Sequence, residues 1–166
     1  MFRRSDGRLA MTDQRLIRVE LPEEPPAPSA YAEADRRQAI ADLLAGNRFD
    51  PPNLGKGPYA LAVSVREGRL VLDIRDVDNR PLHVLALALG PFRRLIKDYH
   101  LVVEAHEQAV AESGPESRVQ AIDMGRRGLH NEGAELLQQR LKGRIEVDFE
   151  TARRLFTLVC ALHQRI

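Results

Sequence analysis

Two segments of alternating apolar and polar residues, joined by only two residues, constrain the fold more than any other part of this chain. Tyr59–Arg66 and Arg69–Arg75 both alternate with a period of two, and Glu67 and Gly68 lie between them. This period is typical of strands with one buried face, and a two-residue connection is typical of a β-hairpin. We therefore expect an antiparallel hairpin that packs one face on a core.

The remaining periodicity predicts strands first and helices afterwards. Residues 15–21 alternate like a short strand, and residues 82–89 are apolar on both faces, which predicts a third, more buried strand. Helical patterns cover residues 31–45, a segment that begins at Gly90-Pro91 and stops at Ser113, and residues 116–141 and 149–164. Ser29 and Asp148 are expected N-caps. This order favours an α+β fold: a small antiparallel β-meander packed against three C-terminal helices, with an N-terminal strand and helix.

The length of 166 residues suits one domain. We expect residues 1–14 to be disordered or tag-like, with Met11 as an alternative start. Residues 15–166 are expected to form a single α+β domain with a proline-rich connector at 21–30.

Charge and cysteine content narrow the function classes. The 25 basic and 24 acidic residues nearly cancel, so no general positive field favours nucleic acid. The single cysteine, Cys160, permits no intramolecular disulfide and no Cys-rich zinc site. The histidines show no metal-binding spacing, and no apolar run approaches the roughly 20 residues that span a bilayer. We expect a cytoplasmic protein with no membrane association, no metal and no cofactor.

The segment of residues 123–133 places two arginines, a histidine and an asparagine among three glycines within a helical pattern. Each glycine inside a helix costs roughly 1 kcal/mol relative to alanine. Such a cost predicts close backbone approach, a helix break or a ligand, and the sequence leaves open whether the segment is one helix or two.

A second basic group lies in the first two turns of the helix that follows Gly90. Together the two groups are the candidate site for an anion or a protein partner: Arg93, Arg94, Lys97, Arg126, Arg127, His130 and Asn131. The alternative is structural, since Arg94 can pair with Asp98, and Arg127 with Asp123, four residues apart.

Other reactive side chains suggest no chemistry. His106 lies on an apolar helical stripe and is expected to be a hydrogen-bonded core residue. Cys160 and His163 are three residues apart, but Cys160 lies on the broad apolar face of the last helix and is expected to fill the core. We predict no catalytic residue.

Three segments resemble a known family: GPFRRLIKDY at 90–99, AIDMGRRGLHNEG at 121–133 and DFETARRLFTL at 148–158. They are similar to an uncharacterised protein family of alphaproteobacteria, and the resemblance covers nearly all of residues 12–166. It implies a small, soluble, bacterial cytoplasmic protein and carries no assigned activity.

The favoured hypothesis is a non-enzymatic binding or regulatory module that recognises an anionic group or a protein partner. One alternative is an enzyme acting on a small phosphorylated or carboxylated substrate, with His130 as acid or base. Another is a homo-oligomeric structural protein, such as a homodimer, with the apolar last helix as its interface.

Overall fold

The computed structural model describes residues 13–163. The predictions for residues 1–12, and for the end of the last helix beyond residue 163, lie outside this part of the chain. The elements, in chain order, are β1 (Leu16–Glu20), α1 (Ala30–Ala45), β2 (Phe49–Asp50), β3 (Tyr59–Arg66), β4 (Arg69–Arg75), β5 (Pro81–Ala88), a 3-10 turn (Gly90–Phe92), α2 (Arg93–Ala111), α3 (Glu116–Leu141), β6 (Glu146–Val147) and α4 (Phe149–Leu162). None of the helices in this range is long and apolar enough to cross a membrane.

The main sheet has four strands in the order β1-β3-β4-β5. Strands β3, β4 and β5 form the predicted antiparallel meander, and β1 joins β3 in parallel. In the hairpin turn both Glu67 (φ 52°) and Gly68 (φ 76°) have positive φ, as a tight two-residue turn requires. A separate two-stranded sheet pairs Phe49 of β2 with Val147 of β6. The α+β prediction is confirmed.

The predicted third strand exists, but the expectation that it is the more buried one is wrong. Strand β5 is an edge strand with only β4 beside it in the described part of the chain. Leu85 is buried, whereas Val84 on the opposite face is 56% exposed. Apolar residues on both faces predicted burial on both, but only one face of this strand packs on the core.

Helix α4 is the central helix of the core. Asp148 caps it by accepting a hydrogen bond from the Thr151 backbone N–H at 3.0 Å. Its side chains are buried on nearly every side, including Ala152, Leu155, Phe156, Leu158, Val159 and Cys160. The apolar surface that the homo-oligomer hypothesis assigned to an interface therefore lies inside the core of one chain.

Helix α3 is one continuous helix of 26 residues, which answers the question that the sequence left open. Gly133 allows close packing, because a Cβ there would lie 2.3 Å from a ring carbon of Phe156. Gly125 and Gly128 have no such neighbour: a Cβ added at either position would meet no atom within 4 Å. The three glycines therefore do not share one structural reason.

Candidate functional site

A buried carboxylate joins three helices. Asp35, on α1, accepts hydrogen bonds from the Tyr99 hydroxyl of α2 at 2.8 Å and from Arg126 Nη1 of α3 at 2.7 Å. His130 Nε2, one turn beyond Arg126, lies 3.3 Å from the same carboxylate. The side chain of Asp35 is only 9% exposed and that of His130 only 3%. We call Asp35, Tyr99, Arg126 and His130 the polar centre.

The spacing of α3 explains why two of these residues meet. Arg126 and His130 are four residues apart and therefore lie on one face of the helix. The His130 ring stacks on Tyr99, with ring centroids 5.8 Å apart and planes 21° from parallel. Thr157 of α4 lies 3.4 Å from His130 Nε2 and donates its own hydroxyl hydrogen to the Arg153 carbonyl. The polar centre therefore contacts all four helices.

Arg126 contacts a second carboxylate toward the surface. Its guanidinium donates to Asp123 at 3.0 Å, and the Tyr31 hydroxyl donates to the same oxygen at 2.8 Å. The guanidinium carbon also lies 5.7 Å from the centre of the Tyr31 ring, which stacks on His106. With two carboxylates and an aromatic ring around it, Arg126 is fully occupied by its own chain.

The electrostatics of the polar centre follow from these contacts. Burial alone would raise the pKa of Asp35. The hydrogen bond and charge of His130, the charge of Arg126 and the hydrogen bond from Tyr99 outweigh it, so this pKa lies below its usual value. Burial and the neighbouring Asp35 charge raise the pKa of Tyr99. At neutral pH the centre therefore contains an ionised Asp35 and a protonated Tyr99.

A carboxylate beside a histidine can serve in acid–base chemistry, as the enzyme hypothesis requires. In this arrangement His130 Nε2 already faces Asp35 and Thr157, and its side chain is almost completely buried. The geometry suits a structural connection between helices, because a substrate would have to separate them to reach the ring. Within residues 13–163, no three His, Cys, Asp or Glu side chains are grouped so that they could hold a metal ion.

The other predicted site residues lie on the surface. Arg94 pairs with Asp98 at 3.1 Å and with Glu132 of α3, and Arg127 pairs with Asp123 at 3.3 Å. The side-chain oxygen of Asn131 accepts a hydrogen bond from Arg153. Arg93 and Lys97 are exposed on the first turns of α2. The structure thus brings Arg126 and His130 together in the polar centre. Arg127 is linked to Arg126 only through their shared partner Asp123, and the other predicted residues lie outside the centre.

The two remaining reactive side chains have structural surroundings. Cys160 is completely buried, and burial raises the pKa of its thiol. His106 is half-buried and stacks on Tyr31 at 3.7 Å between ring centroids.

Sequence reasoning missed the acceptor at the polar centre and one buried cation. Asp35 was not singled out because it precedes two arginines in a helix with many charges. Its neighbour Arg36 is buried and donates to Glu24 at 3.0 Å, to the Pro25 carbonyl and to the Ala161 carbonyl. Arg36 thereby fastens the proline-rich connector to the end of α4.

One exposed surface is formed jointly by α2 and α3. A connection of four residues, 112–115, makes these helices antiparallel, and the Arg94–Glu132 ion pair joins them at one end. Leu101 lies two turns after Arg94, and Gly125 lies two turns before Glu132, so the ion pair puts Leu101 and Gly125 at the same level along the two helices. We call Leu101, Met124, Gly125 and Gly128 the α2–α3 face. Leu101 is about half exposed and Met124 is 71% exposed.

Comparison with known proteins places the chain in a family. The model of an uncharacterised protein family, UPF0262, matches residues 13–165. A UPF0262 protein of Granulibacter bethesdensis is 62% identical over 146 residues, which cover 83% of this chain and 82% of that protein. One of Maricaulis maris is 51% identical, covering 95% and 98%, and one of Caulobacter vibrioides is 46% identical, covering 94% and 97%. No solved structure matches the chain. The chain belongs to the UPF0262 family.

Proposed function

We propose that the protein is a non-enzymatic binding module that recognises a protein partner through the α2–α3 face. The observation that carries this proposal is the pair of exposed glycines, Gly125 and Gly128, in the middle of a continuous helix where a Cβ would have open space. Glycine at such a position lowers helix stability by about 1 kcal/mol relative to alanine. No contact among the described residues compensates for this loss of helix stability at Gly125 or Gly128.

Gly133 provides the internal comparison. There the absence of a side chain allows Phe156 of α4 to approach the helix backbone. A partner that approaches the backbone of α3 as closely from outside would give Gly125 and Gly128 the same role. At Gly125 and Gly128 a second molecule therefore makes the contact that Phe156 makes at Gly133.

The neighbouring side chains define the chemistry of this partner. Leu101 and Met124 add exposed apolar surface beside the glycines. Charged pairs lie beyond both ends of the face: Arg94–Glu132 at one end and Arg118–Glu112 at the other. Exposed apolar side chains beside two glycines, with charged pairs beyond both ends, fit the apolar side of an amphipathic helix. The exposed cations Arg93 and Lys97 favour acidic residues on the flank of that helix.

The polar centre supports this function indirectly. Asp35 binds Arg126 and His130 of α3 and Tyr99 of α2, so it fixes both helices of the face relative to α1. A preorganised surface binds more tightly because less conformational freedom is lost on association.

The test compares proteins retained by the wild-type chain and by the Gly125→Leu/Gly128→Leu variant from extract of an alphaproteobacterium. We expect one or more proteins to be retained by the wild type and lost with the variant. The variant should be at least as stable as the wild type, because leucine is a better helix former than glycine. The matched control is Ala41→Leu, which adds a leucine at an exposed position of α1 and should retain the same proteins. Equal retention by all three chains would refute the assignment of this surface.

A further inference from the structure

Strand β5 presents an open sheet edge. Within residues 13–163 its only strand neighbour is β4, so every second residue of β5 directs its main-chain N–H and C=O groups away from the sheet. The strand is eight residues long, and five of its residues are exposed: Pro81, His83, Val84, Ala86 and Ala88. An open edge of this length is a template for pairing with another chain.

The two edges of the sheet differ in how they are protected. Strand β1, at the far edge, has five residues and carries Arg18 and Glu20, and charges on a short edge strand oppose pairing with another chain. Strand β5 reads PLHVLALA and contains no Asp, Glu, Lys or Arg. Its protective features are confined to its start, where Pro81 lies at the first position and the pairing register with β4 shifts at Leu82, and residues 83–88 pair regularly with β4.

The composition of β5 suits a second copy of itself. Antiparallel pairing of two identical strands around a two-fold axis satisfies the open main-chain groups of both. Because neither strand carries a charge, no like charges are opposed in any register. The alternation also matches: residues on the core side, such as Leu85, meet core-side residues of the partner, and residues such as Val84 meet their outer-side counterparts.

A cleft beside the edge offers space for apolar side chains of that second copy. It has a volume of about 400 Å³, and its apolar walls include Leu54, Ile74, Leu85 and Ile145. Ile74 and Leu85 belong to the core side of β4 and β5, so the cleft opens on that side of the sheet. A two-fold axis perpendicular to the sheet places the core-side residues of the partner strand on this same side.

We propose that two copies of this chain pair through β5 in antiparallel orientation, which joins their four-stranded sheets into one continuous eight-stranded sheet. This dimer surface goes beyond the binding function proposed for the α2–α3 face and does not depend on it.

The first test introduces a charge at the edge. Val84→Lys places two lysines near the two-fold axis and should convert a dimer into a monomer, as measured by size-exclusion chromatography with light scattering. The matched control is Leu44→Lys on α1, where the leucine is 45% exposed and the variant should remain a dimer. A monomeric wild-type protein, or a dimer that survives Val84→Lys, would overturn the proposal.

The second test measures proximity and does not depend on affinity. Val84→Cys and Ala86→Cys each introduce a thiol on the outer face of β5, while the native Cys160 is completely buried. We expect mild oxidation to cross-link at least one of these variants into a covalent dimer, and to leave Leu44→Cys monomeric on a denaturing gel. Equal cross-linking at all three positions, or at none, contradicts pairing through β5.

Discussion

Replacing Asp35 with alanine should destabilise the protein more than any surface substitution. The change leaves the guanidinium of Arg126, the ring of His130 and the hydroxyl of Tyr99 without their shared acceptor. Removing one partner from a buried ion pair costs about 3–5 kcal/mol. Arg126 keeps Asp123 and is 16% exposed, so we expect the lower end of this range. A loss of about 3 kcal/mol corresponds to a fall of roughly 6–12 °C in the melting temperature of a chain of this size.

Urea unfolding followed by circular dichroism measures this loss, provided that the slope with denaturant stays unchanged. Asp98→Ala is the control, because it removes an aspartate whose partner, Arg94, is exposed, and should leave the midpoint nearly unchanged. A loss of less than about 1 kcal/mol in unfolding free energy for Asp35→Ala would lie below the range expected for a broken buried pair. The polar centre would then not stabilise the helices.

The lowered pKa of Asp35 also predicts how the stability of the protein depends on pH. A carboxyl group with a lower pKa in the folded than in the unfolded state contributes stability above the unfolded value, about 3.9, and loses it as pH falls through the folded value. The difference in unfolding free energy between the wild type and Asp35→Asn should therefore shrink as the pH falls below the unfolded value and through the folded one. A difference that grew as the pH fell would contradict the lowered pKa of Asp35.

Three further predictions test other parts of the fold. Gly133→Ala should lower stability by roughly 1–3 kcal/mol, because the added Cβ overlaps the ring of Phe156; an unchanged melting temperature would contradict that contact. Asp148→Ala should lower the free energy of unfolding in urea by about 1 kcal/mol through loss of the α4 cap, whereas Asp148→Asn should keep most of the stability that the cap provides. Cys160 should react with a thiol reagent only as fast as the native protein opens, and labelling at the rate of a free thiol would show that α4 is accessible.

The sequence predicted the parts of the fold that depend on local pattern. The hairpin of β3 and β4 has the predicted bounds, because alternation and a two-residue turn involve only neighbouring residues. The Asp148 cap and the break between helices, where the helical pattern stops at Ser113 and resumes at Glu116, are local in the same way. Periodicity could not show that β5 lies at an edge, since this depends on whether another strand adds to it. It also missed β2, whose two residues find their partner almost a hundred positions later.

The candidate site was predicted only where its residues are close in sequence. Arg126 and His130 were recognised because they share one helix face. Asp35 was not, because 91 residues separate it from Arg126 and nothing in the local pattern of α1 marks it as buried. The same distance explains why Arg126 was expected to bind an anion: the carboxylate that occupies it comes from another helix.

The central position of α4 bears on how the chain folds as it is made. A ribosome synthesises α1, the main sheet, α2 and α3 before α4. All of these elements pack against α4 or against residues that contact it. At synthesis rates of about 5–20 residues per second, the earlier elements wait several seconds with their apolar faces uncovered. During this interval chaperones can bind and shield these apolar faces. The native core forms only after α4 has left the exit tunnel.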